Sequence, residues 1–76
     1  MPVIFKIDQF KVSINADDHA PPHVHVHFRN LEVVVDIRTL TIMHPTKIGG
    51  GDLTAIMKAL ADRQDILLKA WEAFHG

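Results

Sequence analysis

The stretch HVHVHFRNLEVVVDI, residues 23–37, alternates apolar and polar residues on both sides of the pair Arg29-Asn30. Successive side chains of a strand point to opposite faces of a sheet, so each half of this stretch is predicted to be a strand with one apolar face. A two-residue hairpin pairs the residues that flank its turn, which places Phe28 opposite Leu31. In this register the apolar side chains share one face, and the three histidines stand in a row on the other.

Alternating apolar runs also occur before and after this hairpin, at residues 3–14 and 40–42. Two-residue turns at Asp8-Gln9 and Arg38-Thr39 would place Ile7 opposite Phe10 and Ile37 opposite Leu40, so that the apolar residues of every strand lie on the same side. Strands of this kind, separated by short polar turns, are typical of an antiparallel meander. The sequence therefore predicts a sheet of four to five strands over about residues 3–44.

The last third of the chain changes to helical spacing. Residues 45–51 contain three consecutive glycines and are predicted to be a flexible linker, after which Asp52 is a suitable N-cap. We expect one long C-terminal helix over about residues 52–75, packed on the apolar face of the sheet; a helix broken near Ala61-Asp62 is the alternative. The apolar stripe of this helix consists of Leu53, Ile56, Met57, Leu60, Leu67, Leu68, Trp71 and Phe74. The fold class is therefore α+β, and residues 1–76 form a single domain.

The size and charge of the chain exclude several classes of protein. Seventy-six residues form one small domain near the lower limit for a self-sufficient core, and there is no cysteine for a disulfide or a thiolate zinc site. A net charge of −1 with neutral histidines provides no basic field for nucleic acid. No apolar run approaches membrane-spanning length, and no signal peptide is evident. We expect a cytoplasmic protein that binds neither a membrane nor nucleic acid directly.

The histidine-rich segment is the candidate site. Four of the six histidines fall within residues 17–28, where zinc or a similar divalent metal would find imidazole and carboxylate ligands. Pro21-Pro22 stiffens the segment and would hold Asp18 and His19 near the strand. The predicted metal ligands are therefore His19, His23, His25 and Asp18, whereas catalytic residues cannot be assigned. The hairpin register also predicts three cross-strand pairs, which are His27 with Glu32, His25 with Val34, and His23 with Asp36.

An ordinary polar sheet face is the alternative to a metal site. Cross-strand pairs of histidine and carboxylate on an exposed face contribute only a few tenths of a kcal/mol. The same face carries the apolar residues Ile4, Val34 and Met43, which suit contact with a second copy or a small protein partner. The candidate binding face comprises Asp17, His27, Glu32, Val34 and Asp36. His44 and His75 lie outside the cluster and are expected to be solvated.

Residues 17–25, Asp-Asp-His-Ala-Pro-Pro-His-Val-His, resemble the motif of a family of very small bacterial proteins known as domain of unknown function 4160. Met1-Pro2, Val35-Asp36-Ile37 and Trp71 also match that family's pattern. His27 is an addition to the pattern, which makes it the least secure member of the site. The resemblance implies a cytoplasmic bacterial protein, often encoded beside another small protein and associated with a toxin–antitoxin-like role, with no established activity.

Two function classes follow from these observations. We favour a protein that acts by binding, as a component of a toxin–antitoxin-like two-protein module, with the histidine face as its binding surface and metal site. The alternative is a metal-dependent hydrolase or nuclease-like toxin in which His23 and His25 are ligands. Asp17, Asp18 or His19 would then complete the ligand set or act as general base. No nucleophile motif is present, so we lean against an enzyme.

Overall fold

The computed structural model describes residues 3–15 and 19–75 of the chain, and it contains a five-stranded antiparallel sheet followed by two helices. The strands lie side by side in chain order, which makes the sheet a meander and confirms the predicted α+β fold. Their bounds are β1 Val3–Ile7, β2 Phe10–Ile14, β3 His23–Phe28, β4 Leu31–Asp36 and β5 Thr41–Ile42.

The two tight hairpins have the register that the sequence predicts. The residues that flank the turns are paired, Ile7 with Phe10 and Phe28 with Leu31. In each turn the first residue has left-handed backbone, with φ 53° at Asp8 and 57° at Arg29. Neither turn contains glycine, so the register is determined by the burial of the strands' apolar side chains more than by favourable turn residues.

The connection from β4 to β5 keeps the predicted register, since Asp36 pairs with Thr41, but it is longer than the predicted two-residue turn. The strand β4 ends at Asp36 and β5 begins at Thr41, so the connection has four residues, and Leu40 has left-handed backbone with φ 57°. The Asp36 carboxylate accepts hydrogen bonds from the backbone N–H groups of Arg38 at 2.8 Å and Thr39 at 3.1 Å. The Leu40 N–H donates to the Asp36 carbonyl at 2.8 Å. Asp36 therefore organises its own turn.

The expected single long helix is wrong, because the helical region is divided at Arg63. The first helix, α1, spans Gly50–Asp62, and the second, α2, spans Gln64–His75. Arg63 has φ −120° and ψ 16°, and its N–H donates to the Leu60 carbonyl at 3.1 Å. The alternative of a break near Ala61-Asp62 is closer, although Asp62 ends α1 and does not cap α2.

Gln64, at the first position of α2, holds the second helix against the sheet. Its side-chain amide donates to the backbone carbonyls of Ile37 at 2.7 Å and Arg38 at 3.0 Å. These carbonyls belong to the β4–β5 connection, beyond the end of β4. The break in the helix therefore lies next to a tertiary contact that fixes where α2 begins.

The start of α1 is also earlier than predicted. Gly49 is the N-cap and makes no side-chain capping hydrogen bond, so Asp52 is not the N-cap. Asp52 lies instead in the first turn, where a carboxylate interacts favourably with the helix dipole. The linker that precedes the helix consequently ends at Gly49, because Gly50 and Gly51 are helical.

The core lies between the apolar face of the sheet and one face of the two helices. Its buried helical members are Ile56, Leu60, Leu67 and Trp71, and Ile48 joins them from the connection before α1. Two residues assigned to this face are more exposed than expected, Ile42 at 41% and Phe74 at 39%, since they lie on the short edge strand and in the last helical turn. Among the described residues, neither helix is long and apolar enough to span a membrane.

Candidate functional site

The outer face of the sheet, opposite the core, presents its side chains in rows that run across the strands. The three predicted cross-strand pairs between β3 and β4 are all found in the register. Each pair extends into a row through neighbouring strands. We name these the basic row (Lys6, Lys11, His27, Glu32), the central row (Ile4, Ser13, His25, Val34) and the end row (His23, Asp36, Thr41).

Glu32 connects two histidines of different rows. The Nδ1–H of His25 donates to Glu32 Oε2 at 3.0 Å, and His27 Nε2 lies 3.5 Å from the same oxygen. His27 directly opposes Glu32, yet the shorter contact runs diagonally to His25, which agrees with the reach of long side chains to diagonal neighbours. His25, predicted to oppose Val34, is therefore also oriented by the Glu32 carboxylate.

His23 does not use the carboxylate that opposes it. Asp36 is engaged by the N–H groups of its own turn, whereas the Nδ1–H of His23 donates to the Pro21 carbonyl at 2.8 Å. The His23 ring packs against Trp71 of α2, with ring centroids 5.3 Å apart. The prediction that the histidine row lies wholly opposite the helix is therefore wrong at His23, where α2 reaches the end of the sheet.

An array of aromatic rings extends from the sheet to the end of α2. The rings of His25 and His23 are 5.3 Å apart in an edge-to-face arrangement, and the His75 ring stacks on Trp71 at 3.7 Å. The expectation that His75 is solvated is wrong, since its Nδ1–H donates to the Trp71 carbonyl at 2.9 Å and its Nε2 is buried without a hydrogen-bond partner among the described residues. The four-residue spacing of Trp71 and His75 was the available signal for this contact. His44 is exposed, as expected.

The donor set for a metal is partly in place. His23 and His25 are adjacent, and each directs Nδ1–H to an oxygen acceptor, as histidines that bind a metal through Nε2 commonly do. His19 is exposed in the segment before β3, and Asp17 and Asp18 lie outside the described residues. Within residues 3–15 and 19–75, no three histidine or carboxylate side chains form a cluster that could hold a metal ion.

A shallow groove of about 590 Å³ lies on the outer face beside these histidines. Its lining combines charged and apolar groups from all four long strands and the β3–β4 turn, including Ile4, Lys11, His25, His27, Arg29 and Glu32. Of the predicted binding face, His27 and Glu32 line this groove, and Val34 lies beside it in the central row. Asp36 does not line the groove, and Asp17 lies outside the described residues. Arg29, Lys11 and Ser13 also line the groove but are not predicted site residues, because the predicted site includes only residues of the histidine segment and those opposite it on β4.

Comparisons with known proteins match the chain to one family. No curated protein and no solved structure matches the chain. The profile of the family described as "Domain of unknown function (DUF4160)" matches residues 9–72. This range includes the histidine segment, strands β2 to β5, the whole of α1, and α2 up to Glu72. The chain belongs to this DUF4160 family.

Proposed function

We propose that the protein acts by binding another protein through the outer face of its sheet, as a component of a bacterial two-protein module of the toxin–antitoxin kind. The observation that carries this proposal is the central row, in which Ile4 is 51% exposed and lies in the same row as the half-buried Val34. Apolar side chains that border a groove rimmed with charged groups resemble the core and rim of a protein interface.

The arrangement of the polar groups favours binding over catalysis. Glu32 is engaged by two histidines on an open sheet face, and its side chain is 46% exposed. Electrostatic catalysis is strongest where water is excluded and the reacting groups are held in an enclosed site. A surface that exchanges water for partner side chains needs no such enclosure, because an interface becomes dry only when the partner binds.

The proposal is tested by placing a charge in the central row. The family resemblance implies a small partner protein encoded beside this one. We expect Val34→Lys to weaken binding to such a partner at least tenfold, because the new ammonium would be buried in the interface. Ile66→Lys is the matched control, since Ile66 is 58% exposed on α2, far from the groove lining. Affinity is measured by isothermal titration calorimetry and oligomeric state by sedimentation. If Val34→Lys changes neither, the outer face is not the binding surface.

A metal site is the second candidate function, and the hydrogen bonds of His23 and His25 favour it. A metal-binding histidine usually donates its other ring N–H to a carboxylate or a backbone carbonyl, as both residues do through Nδ1. We propose that His23 and His25 bind a divalent transition metal such as zinc, with His19, Asp18 or Asp17 completing the ligand set. A hydrolase or nuclease-like toxin would need this site, with one of those residues as general base.

Metal analysis of the untagged protein tests this candidate. We expect stoichiometric zinc in the unmodified protein and its loss in the double variant His23→Ala/His25→Ala. His44→Ala is the control, because His44 is exposed and lies outside the cluster. Absence of bound metal at every tested zinc concentration would remove both the metal site and the hydrolase that depends on it.

A further inference from the structure

We infer that the outer face recognises an acidic amphipathic segment of the partner protein. The carboxylates of this segment pair with Lys6, Lys11 and Arg29, while its apolar side chains pack on the central row. This inference rests on the proposed function and specifies the chemistry of the partner. It arises from the cluster of Lys6, Lys11, His27 and Arg29, which we call the basic cluster.

Three members of the basic cluster directly oppose one another across the sheet. Lys6 is paired with Lys11 between β1 and β2, and Lys11 is paired with His27 between β2 and β3. Directly opposed side chains have Cβ atoms about 4.5–5.5 Å apart, and like charges at such positions are destabilising. Both lysines are exposed, and in the described part of the chain neither ammonium takes part in a salt bridge. A carboxylate from a partner would relieve this repulsion.

The carboxylate already present in the groove does not neutralise the lysines. Glu32 Oε2 is engaged by His25 at 3.0 Å and lies near His27 at 3.5 Å. Lys6, Lys11 and Arg29 therefore add three positive charges to a region where Glu32 is the only carboxylate among the described residues that line the groove, on a chain whose net charge is −1. Arg29 lines the same groove from the β3–β4 turn, where its guanidinium lies 4.9 Å from the Phe28 ring centroid. The positive charge is thus local to one part of the outer face.

The central row beside this cluster contains the apolar side chains of Ile4 and Val34, which points to a protein segment as the partner. The basic and central rows are two residues apart along each strand, a separation of about 7 Å. A partner segment would match them if carboxylates and apolar side chains alternated along one of its faces at a similar separation. Ile4 and Val34 would contribute little to a phosphate backbone, whose binding depends mainly on the number of cations. The chain's net negative charge also disfavours nucleic acid.

A peptide-display selection on the purified full-length protein tests the inference. We expect the enriched peptides to combine carboxylates with aliphatic or aromatic residues, and the best peptide to lose at least tenfold in affinity for Lys6→Glu/Lys11→Glu. The matched control is Lys58→Glu/Lys69→Glu, which makes the same charge change at exposed positions of α1 and α2 and should bind normally. Raising the salt concentration should weaken binding, since exposed ion pairs are screened. Enrichment without carboxylates, or unchanged binding by the Lys6/Lys11 variant, would overturn the inference.

Further measurements separate this inference from its competitors and from the proposed function. Binding of a 20-base-pair DNA duplex that is lost in Lys6→Glu/Lys11→Glu would assign the basic cluster to nucleic acid and overturn the acidic segment. Self-association lost in the same variant would assign it to a second copy, with the same consequence. If Val34→Lys abolishes partner binding but the Lys6/Lys11 variant does not, the outer-face proposal stands and the acidic partner is wrong. If neither variant affects partner binding, both fail.

Discussion

The ring of His75 stacks on the indole of Trp71, with centroids 3.7 Å apart and ring planes at 10°. The same imidazole donates through Nδ1 to the Trp71 carbonyl at 2.9 Å, so one side chain satisfies a backbone acceptor in the last turn of α2 and covers the indole. Trp71 is 4% exposed and also contacts the His23 ring at the start of β3. The end of the helix is thereby connected to the histidine face of the sheet.

The first prediction concerns this contact. We expect His75→Ala to lower the free energy of unfolding by about 1 kcal/mol, because the variant loses a hydrogen bond to a terminal helix carbonyl and the stacking on the indole. Glu72→Ala is the control, since Glu72 is exposed in the same helical turn and should change stability by less than about 0.5 kcal/mol. Urea unfolding followed by circular dichroism measures both. Equal stability of the two variants would show that the stacked geometry contributes nothing in solution.

The second prediction uses Trp71 as a reporter of the metal site. The chain has one tryptophan, and its indole lies 5.3 Å from the His23 ring, so all tryptophan emission comes from a residue adjacent to the proposed ligand. A paramagnetic ion such as Cu²⁺ bound at His23 should quench this emission in a saturable manner. Fluorescence titration of the unmodified protein and of His23→Ala measures the effect.

The control for the fluorescence titration is His44→Ala. Because His44 is exposed and has no ring contact with Trp71, its removal should leave the quenching curve unchanged. Quenching of equal strength in His23→Ala and the unmodified protein would place the bound ion elsewhere.

The third prediction concerns the turn between β4 and β5. Asp36→Ala should lower the free energy of unfolding by about 1–2 kcal/mol, since two backbone N–H groups lose the carboxylate oxygen that accepts them at 2.8 and 3.1 Å. Asp36→Asn keeps an oxygen at the same position and should lose less than half as much. Thermal unfolding of the two variants side by side gives the comparison. Similar losses would indicate that the carboxylate's charge matters and the turn hydrogen bonds do not.

The sheet could be predicted from the sequence because its information is local and periodic. Residues 23–37 contain both the alternation and the turn that fix the register, and the pairs His25–Val34 and His27–Glu32 follow from it without further information. Side-chain contacts on that face were less predictable, because a long carboxylate can reach a diagonal neighbour as easily as a direct one. Glu32 accordingly contacts His25 at the shorter distance.

The helix break was not predictable from local periodicity, because it lies beside a tertiary contact. Gln64 is a polar residue within the apolar stripe of the helical region. It donates to the carbonyls of Ile37 and Arg38, which are 27 and 26 residues away in sequence. The four-residue connection that presents these carbonyls depends in turn on Asp36, which had been assigned to the histidine face. These contacts join residues that are distant in sequence, so local periodicity does not predict them.

The last prediction separates the two functions proposed for the outer face through a single variant, Glu32→Gln. The amide keeps the shape of the side chain but removes the negative charge that orients His25 and lies near His27. If His25 binds a metal, this change to its supporting partner should weaken zinc affinity about 10–100-fold. If the groove binds an acidic segment, loss of the Glu32 carboxylate from the groove should strengthen binding of the selected peptide, because the repulsion between Glu32 and the peptide's carboxylates disappears.

The two expected effects of Glu32→Gln have opposite signs, so zinc and peptide titrations on the same preparation distinguish them. Asp52→Asn is the matched control, because it removes one negative charge from the exposed first turn of α1 and should change neither affinity more than about twofold. Weaker zinc binding with unchanged peptide binding would favour the metal site alone. Tighter peptide binding with no zinc effect would favour the acidic partner, since the charge of Glu32 would then act on the ligand of the groove and not through His25.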